Sequence, residues 1–333
     1  MDSWILTVVI LALLFEYVNG FHDAANAIAT SVLTRALSIR NAVILCASLN
    51  LLGALSSTAV ATTMGKGLVD PQNVTHQVVA SALIGAIVWD LITWRLGLPT
   101  SSTHAIVGGI IGAVWGSRGL RYLHLEGTIK VFVGLILSPI AGIVGAYIVM
   151  VIFLWIFGRS SPTKVNQRFR IVQVASASLM AFSHGSNDGQ KSMGVIAMAL
   201  FSSSAIARVG GSHPPEFHIP LWVMLACAIA MALGSGAGGW RIIKTVGRKV
   251  MELQPIHGCV AELSAATIIL TASHFGAPIS TTHTVSSAIM GVGVSRRLSA
   301  VRWRVVGNVV GAWLLTLPVA AAIAYVCAIV LSR

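Results

Sequence analysis

Four polar motifs interrupt otherwise apolar segments of this 333-residue chain, and they form two pairs. The first pair is Gly20-Phe21-His22-Asp23-Ala24-Ala25-Asn26 and Gly185-Ser186-Asn187-Asp188-Gly189-Gln190-Lys191. The second is Gly97-Leu98-Pro99-Thr100-Ser101-Ser102-Thr103-His104 and Gly276-Ala277-Pro278-Ile279-Ser280-Thr281-Thr282-His283. Asp188 follows Asp23 by 165 positions and His283 follows His104 by 179. Carboxylates, amides and hydroxyls are the groups that hold small ions. Each is costly in hydrocarbon, so a duplicated set points to an ion site where two repeats meet.

The hydroxyl motifs suit an anion. Ser101-Ser102-Thr103 and Ser280-Thr281-Thr282 each follow a Gly-x-Pro turn and lead a short apolar segment. Proline fixes the turn, glycine allows close backbone approach, and Ser or Thr caps a helix N-terminus. Free N–H groups and the positive end of the helix dipole then converge without any fixed charge. Hydroxyls in such places also serve as plain caps or helix glue, but the same triplet followed by His in both copies favours a site. His104 and His283 are read as fixing the turns by hydrogen bonds.

The acid motifs suit a cation. A carboxylate at membrane depth costs at least ~2.5–3.5 kcal/mol, so Asp23 and Asp188 are rarely idle there. Asn26 and Asn187 flank them, and the glycines would let the backbone unwind and offer carbonyls to Na⁺, or the carboxylate could hold a proton. An anion beside two carboxylates is repelled until a cation or proton neutralises them, which couples the two occupancies. Lys191 stands where Asn26 stands in the first copy, and its charge tilts the reading towards proton coupling; a lysine snorkelling to the interface is the bland alternative. Glu262 has Leu83 as its repeat counterpart and is a further candidate for the coupling cation. Glu16 and Asp90 are additional intramembrane acids. The expected anion ligands are therefore Ser101, Ser102, Thr103, Ser280, Thr281, Thr282, Asn26 and Lys191, and the expected cation residues are Asp23, Asp188, Asn187 and Glu262.

The elements that must position these residues are membrane spans. Hydrophobic residues make up 56% of the chain and charged residues 10%, with a mean hydropathy of +0.84. Val131–Phe157 exceeds the ~20 apolar residues that cross a bilayer, and the alternating strands of a barrel are missing from the pattern. The class is an all-α polytopic membrane protein. Its 22 Lys and Arg against 10 Asp and Glu fall between apolar runs, as the positive-inside rule requires, which argues against nucleic acid. Cys46, Cys227, Cys259 and Cys327 lie singly in apolar stretches and read as packing residues, with no metal-ligand spacing. Met1-Asp2-Ser3-Trp4 lacks a basic leader, so the first span is read as retained.

Spans are expected near 4–18, 41–63, 77–95 and 128–157, then 171–183, 220–238, 258–275 and 305–331. Half-length segments near 21–34, 104–116, 187–200 and 281–294 each follow one of the motifs. The order is the same in both halves, giving a first inverted repeat at 1–160, a cytoplasmic joint at 161–170 within the polar stretch Gly158–Arg170, and a second inverted repeat at 171–333. If 4–34 and 171–200 are broken helices of one net crossing, and 77–116 and 258–294 are span-and-return hairpins, the cations sort unevenly. Arg35, Arg40, the polar stretch's Arg159, Lys164, Arg168 and Arg170, then Arg241, Lys244, Arg248, Lys249, Arg296, Arg297, Arg302 and Arg304 share one side, fourteen in all. Lys66, Arg118, Arg121, Lys130, Arg208 and Arg333 make six on the other. That distribution puts the joint in the cytoplasm and both termini outside, with oppositely oriented halves carrying broken helices and re-entrant half-helices.

With these residues in view, the chain resembles the inorganic phosphate transporter (PiT) family, in its bacterial low-affinity permease branch. Asn19 to Ala27 and Phe182 to Lys191 are similar to its paired signature, Pro99 to His104 and Pro278 to His283 to its second pair, and Leu315-Thr316-Leu317-Pro318 to its last span. The resemblance implies import of inorganic phosphate by cation symport across the bacterial inner membrane, with both motif pairs lining the site. It implies H⁺ as the usual coupling ion, Na⁺ elsewhere in the family, a neutral metal–hydrogenphosphate complex as a further form of substrate, no organic cofactor, and a homodimer. His22 departs from the Asn of sodium-coupled relatives, which speaks against Na⁺ here, and no large central loop is present.

Other readings are another tetrahedral oxyanion such as sulfate, an intramembrane aspartyl protease, and a channel. Hydrogenphosphate donates a hydrogen bond that an aspartate can accept, whereas sulfate needs donors only. A protease has no use for the duplicated hydroxyl motif, and a channel none for a neutralising acid pair. The reading is of a transporter and not an enzyme.

Overall fold

A computed structural model describes residues 3–71, 74–207, 217–237, 242–243, 245 and 250–332. Arg208, Arg241, Lys244, Arg248, Lys249 and Arg333 of the charge count lie outside the described residues. The architecture is helical, with one isolated bridge, Val69 to Leu123, among the described residues. Among the described residues the principal helices are α1 (Ser3–Leu33), α2 (Ile39–Leu55), α3 (Ala59–Lys66), α4 (His76–Leu96), α5 (Ser102–Ser117), α6 (Leu125–Phe157), α7 (Pro162–Ala207), α8 (Leu221–Ala237), α9 (Pro255–His274), α10 (Thr281–Arg296) and α11 (Trp303–Leu331).

Five of them, α1, α4, α6, α9 and α11, are long and apolar enough to cross a membrane, and the bent pair α2–α3 makes a sixth. Two of the expected spans differ from this picture. α8 spans 17 of the described residues, and α7, with 46, is long but carries the second acid motif through its middle. From Met180 to Ala199 nearly every α7 residue is buried by other helices, so its polar groups face protein and not lipid. α6 and α11 are the spans least covered by the rest of the molecule.

The two hairpins α4–α5 and α9–α10 turn by the same chemistry. Gly97 and Gly276 take φ of +68° and +64°, a left-handed conformation that glycine adopts without steric cost. Around them the amides of Gly97 and Leu98 bond the carbonyls of Trp94 and Thr93, and those of Gly276 and Ala277 bond Ser273 and Ala272, a Schellman ending in each copy. Pro99 and Pro278 prevent continuation, and Ser101 and Ser280 cap the next helix by accepting from the amides of His104 and His283 at 3.2 and 3.1 Å. α5 and α10 have 16 residues each, about 24 Å at 1.5 Å per residue, short of the ~30 Å hydrocarbon core. They are half-helices that begin within the molecule.

The expected break at the acid motifs does not occur. α1 and α7 run through Gly20 and Gly185 as continuous helix, so no unwound carbonyls face a cation there. The glycines instead permit close helix crossings. A Cβ on Gly20 would lie 2.5 Å from the carbonyl of Met231, and one on Gly234 would lie 2.1 Å from that of Tyr17. In the other half, a Cβ on Gly185 would meet Asn50 O at 2.2 Å, and one on Gly53 would meet Phe182 O at 2.1 Å. Backbone contact of this kind is how small residues join helices in lipid. The bend falls between α2 and α3, at 68°. At the joint, α7 already begins at Pro162, so the connector is short and most of residues 161–170 is helix.

Packing between the halves is reciprocal. α5 lies on α11 and α10 on α6, while α2 lies on α7 and α8 on α1. α1 and α7 run in opposite directions along one another. Ser192 donates to Glu16 near one end of the contact, Thr34 donates to Gln173 at 2.7 Å near the other, and Asp23 and Asp188 face each other between.

Candidate ion site

Asp23 and Asp188 meet at the crossing of α1 and α7. One ligand atom each from Asp23, His184 and Asp188 lies within 4.8 Å of the others, all three buried. The half-helices aim their first turns at this pair. Ser102 Oγ donates to Asp23 Oδ2 at 2.9 Å, and Thr281 Oγ1, its repeat counterpart, donates to Asp188 Oδ2 at 3.0 Å. Thr282 crosses between halves, donating to Asp23 Oδ1 at 3.1 Å and accepting from Asn26 Nδ2 at 2.8 Å. Asp23 Oδ1 also lies 2.9 Å from His22 Nδ1 and 3.4 Å from Asn26 Nδ2.

Lys191 supplies the one ammonium among these groups. Its Nζ lies 2.9 Å from Asp188 Oδ1 and 3.3 Å from Ser102 Oγ, so a hydroxyl of the first half links the acid of α1 to the cation of α7. Lysine fully buried in protein requires such partners. It is no snorkelling residue. His184 Nε2 lies 3.4 Å from Asp188 Oδ2, and its Nδ1 faces Asn50 Oδ1 at 3.0 Å. With two carboxylates and one ammonium, the cluster has a net charge of −1 when the histidines are neutral. Its donors are hydroxyls and amides that an oxyanion can use, and its carboxylates suit a cation or proton.

Other expected ligands stand beside the cluster in supporting positions. Ser101 and Ser280 cap α5 and α10 and already accept backbone N–H groups. Thr103 Oγ1 donates to Ile279 O at 2.9 Å, tying one turn to the other. Asn187 braces the second turn, donating to Ser273 Oγ at 3.0 Å and Ala277 O at 3.3 Å and accepting from Ile279 N at 3.4 Å. Glu262 is in a separate cluster, accepting from Thr30, Ser176 and, at 3.2 Å, Gln173 Nε2. Ser176 precedes Asp188 by twelve positions on α7, about 18 Å along a helix. Asp90 is buried, with no hydrogen-bond partner on either carboxylate oxygen among the described residues.

The histidine rings do not hydrogen-bond the turns, contrary to expectation. Their backbone amides do that, while the rings of His104 and His283 pack together at 4.5 Å and His283 stacks on Trp313 at 3.9 Å. Trp313 Nε1 donates to Pro99 O at 2.8 Å. Sequence reasoning also assigned no role to Gln190, whose Oε1 accepts from the amides of Val60 and Ala61 at 2.9 and 3.2 Å. It caps α3 in place of Thr58, which makes no side-chain cap. Only its place in the acid motif hinted at importance.

Comparison with known proteins agrees with this geometry. The sequence model described as "Phosphate transporter family" matches residues 19–324. A "Probable low-affinity inorganic phosphate transporter" of Bacillus subtilis (strain 168) is 46% identical over 325 residues, covering 96% of each chain. A protein of the same description from Rhizobium meliloti (strain 1021) is 44% identical over 318 residues, covering 95% of this chain and 93% of the relative. Among solved structures, one described as "The sodium-dependent phosphate transporter" superposes with a TM-score of 0.89 at 27% identity, covering 99% of both chains.

Proposed function

Because this chain belongs to the phosphate transporter family, whose members are transporters and not enzymes, we propose that it imports inorganic phosphate by cation symport, with a proton as the coupling ion. The observation that carries the reading is the buried pair Asp23 and Asp188, each accepting a hydroxyl from the first turn of a different half-helix. While the acids are unneutralised they occupy Ser102, Thr281 and Thr282. A proton arriving on Asp23 frees Ser102 and Thr282, and one arriving on Asp188 frees Thr281, for phosphate oxygens at the half-helix N-termini. The residual charge of −1 disappears at the same moment, so an anion is no longer repelled. Lys191 then faces phosphate without a second external cation. Hydrogenphosphate can return a hydrogen bond to the remaining carboxylate, which sulfate cannot, and this favours phosphate over other tetrahedral oxyanions. A neutral metal–hydrogenphosphate complex would reach the same site with its charge already offset.

Proton coupling is favoured by the crowding of Asp23. Its oxygens face four donors, His22, Asn26, Thr282 and Ser102, which leaves little room for a Na⁺ shell. Sodium coupling is the second reading. It is favoured by the likeness to a structure described as sodium-dependent and by the approach of Asp23, His184 and Asp188. Glu262 is assigned the supporting role of fastening α9 to α1 and α7.

The antiparallel course of α1 and α7 and the exchanged packing of the half-helices support two inverted repeats, 1–160 and 171–333, about a joint at 161–170. In this reading the joint is cytoplasmic, both termini are outside the bacterial inner membrane, and the molecule is a homodimer. Phosphate uptake into proteoliposomes under imposed pH or sodium gradients tests the coupling. Uptake driven by a pH gradient without sodium is expected; uptake that requires sodium selects the second reading, and uptake that ignores both gradients removes symport. Cysteine labelling at Ser160 and Ser332 from either side tests orientation, and cross-linking tests the dimer.

A further inference from the structure

Far along the chain from the acid pair, the start of α9 carries a buried histidine that the transport site does not use. The amide of Gln254 donates to His257 Nδ1 at 3.1 Å, part of a capping box that opens the helix. A ring nitrogen that accepts a backbone N–H carries no proton, so the neutral ring bears its hydrogen on Nε2. His257 is only 2% exposed, yet that donor has no hydrogen-bond partner among the described residues. It lines a cavity of about 360 Å³ together with Arg296, the last residue of α10, and Asn166. Asn166 Oδ1 is also buried without a partner among the described residues.

A second cavity of about 310 Å³ shares Phe157, Ser160 and Val165 with the first and adds Lys164 and Arg168 from the first turns of α7. Among the described residues, none of Lys164, Arg168 and Arg296 is ion-paired with a carboxylate. The walls towards α6 are apolar, including Phe153 and Leu154. Next to them Trp155 is 83% exposed, which is how tryptophan sits at a membrane–water boundary. One recess therefore combines unpaired cations and an unused N–H donor with an apolar wall beside an exposed tryptophan.

We propose that the end of α6, the start of α7 and the two ends of the α9–α10 hairpin form a binding site for the phosphate group of an anionic phospholipid. His257 Nε2–H, Arg296, Lys164 and Arg168 meet the phosphate oxygens, Asn166 Oδ1 accepts from a headgroup hydroxyl, and an acyl chain follows Leu154 and Phe157. Free inorganic phosphate would satisfy the same donors but gains nothing from the apolar wall, and the lipid is favoured for that reason. This site is separate from the proposed transport site and does not depend on the coupling ion.

The test equilibrates the full chain in detergent with phosphatidylglycerol or phosphatidylcholine and counts retained lipid by native mass spectrometry. Phosphatidylglycerol should be retained about tenfold over phosphatidylcholine. That preference should be lost in Arg168→Gln/Arg296→Gln and in His257→Phe, and kept in Arg168→Lys/Arg296→Lys. Equal retention of the two lipids by the wild type overturns the proposal without any variant, so a misfolded variant cannot shelter it. Unchanged preference in the glutamine variant also overturns it. In a parallel arm, labelled inorganic phosphate is titrated into wild type and the glutamine variant in phosphatidylcholine nanodiscs. The same number of bound phosphates in both is expected, and loss of one in the variant would assign the recess to free phosphate instead.

Discussion

Lys191 Nζ lies 2.9 Å from Asp188 Oδ1, one helical turn away on α7, with both side chains fully buried. In the first half Asn26 occupies the position of Lys191, so a built-in positive charge distinguishes one copy of the motif from the other. Removing one partner of a buried ion pair costs about 3–5 kcal/mol, because the other charge is left uncompensated. Lys191→Met is expected to lower thermal stability in detergent by an amount of that order and to abolish phosphate uptake. Asp188→Asn/Lys191→Met should recover much of the stability and none of the transport. Equal stability of the single and double variants would mean that the pair is not coupled.

Asp23→Asn and Asp188→Asn are each expected to abolish gradient-driven uptake while the protein still inserts. Near-normal transport in both variants would refute a coupling role for the acid pair. Asn26→Ala removes donors from Asp23 and Thr282 and should weaken uptake without eliminating it, read as initial rate against phosphate concentration.

The serine and threonine motifs separate into two roles that substitution can resolve. Ser102→Ala and Thr281→Ala remove the hydroxyls that face the acids and should raise the apparent KM for phosphate. Ser101→Ala and Ser280→Ala remove helix caps and should cost about 1 kcal/mol of stability each, with a smaller change in KM. If the cap variants alone shift KM, the assignment of the two positions is reversed.

Gly276 holds φ at +64° in the second hairpin turn, and its carbonyl accepts from Thr63 Oγ1 at 2.6 Å. Gly276→Ala should destabilise the protein by roughly 1–2 kcal/mol, the cost of left-handed backbone for an L residue. Gly97→Ala should behave alike, and thermal unfolding in detergent measures both. No loss in either would mean that the turns relax to another conformation.

Glu262 accepts from three neutral donors on α1 and α7. Glu262→Gln turns one acceptor towards them into a donor and should cost about 1–3 kcal/mol of stability, leaving the KM for phosphate unchanged. Loss of gradient-driven uptake with phosphate exchange intact would instead place Glu262 in the coupling path.

Much of this protein was legible from residue types and order alone. Apolar content and segment length give a helical membrane protein, because lipid leaves the backbone no other way to satisfy its hydrogen bonds than helices or a closed barrel. Gly-x-Pro followed by Ser fixes a local turn, so both hairpins and their capped half-helices follow from short stretches of chain. The same motifs indicate the family and offer twelve candidate site residues, of which Asp23, Asp188, Ser102, Thr281 and Lys191 are among those the fold gathers in one cluster.

Only the tertiary structure decided which partner each of those groups meets. Gly20 and Gly185 read from the sequence as unwinding points, and the carbonyls of Met231 and Asn50 lying against them make them contact points instead. Thr282 reaching Asp23 across the two halves, Gln190 capping α3 and Glu262 standing apart from the acid pair all depend on how distant helices cross. Local sequence sets the conformation of a few residues at a time, whereas helix crossings are set by side-chain packing and polar pairing summed over the whole molecule.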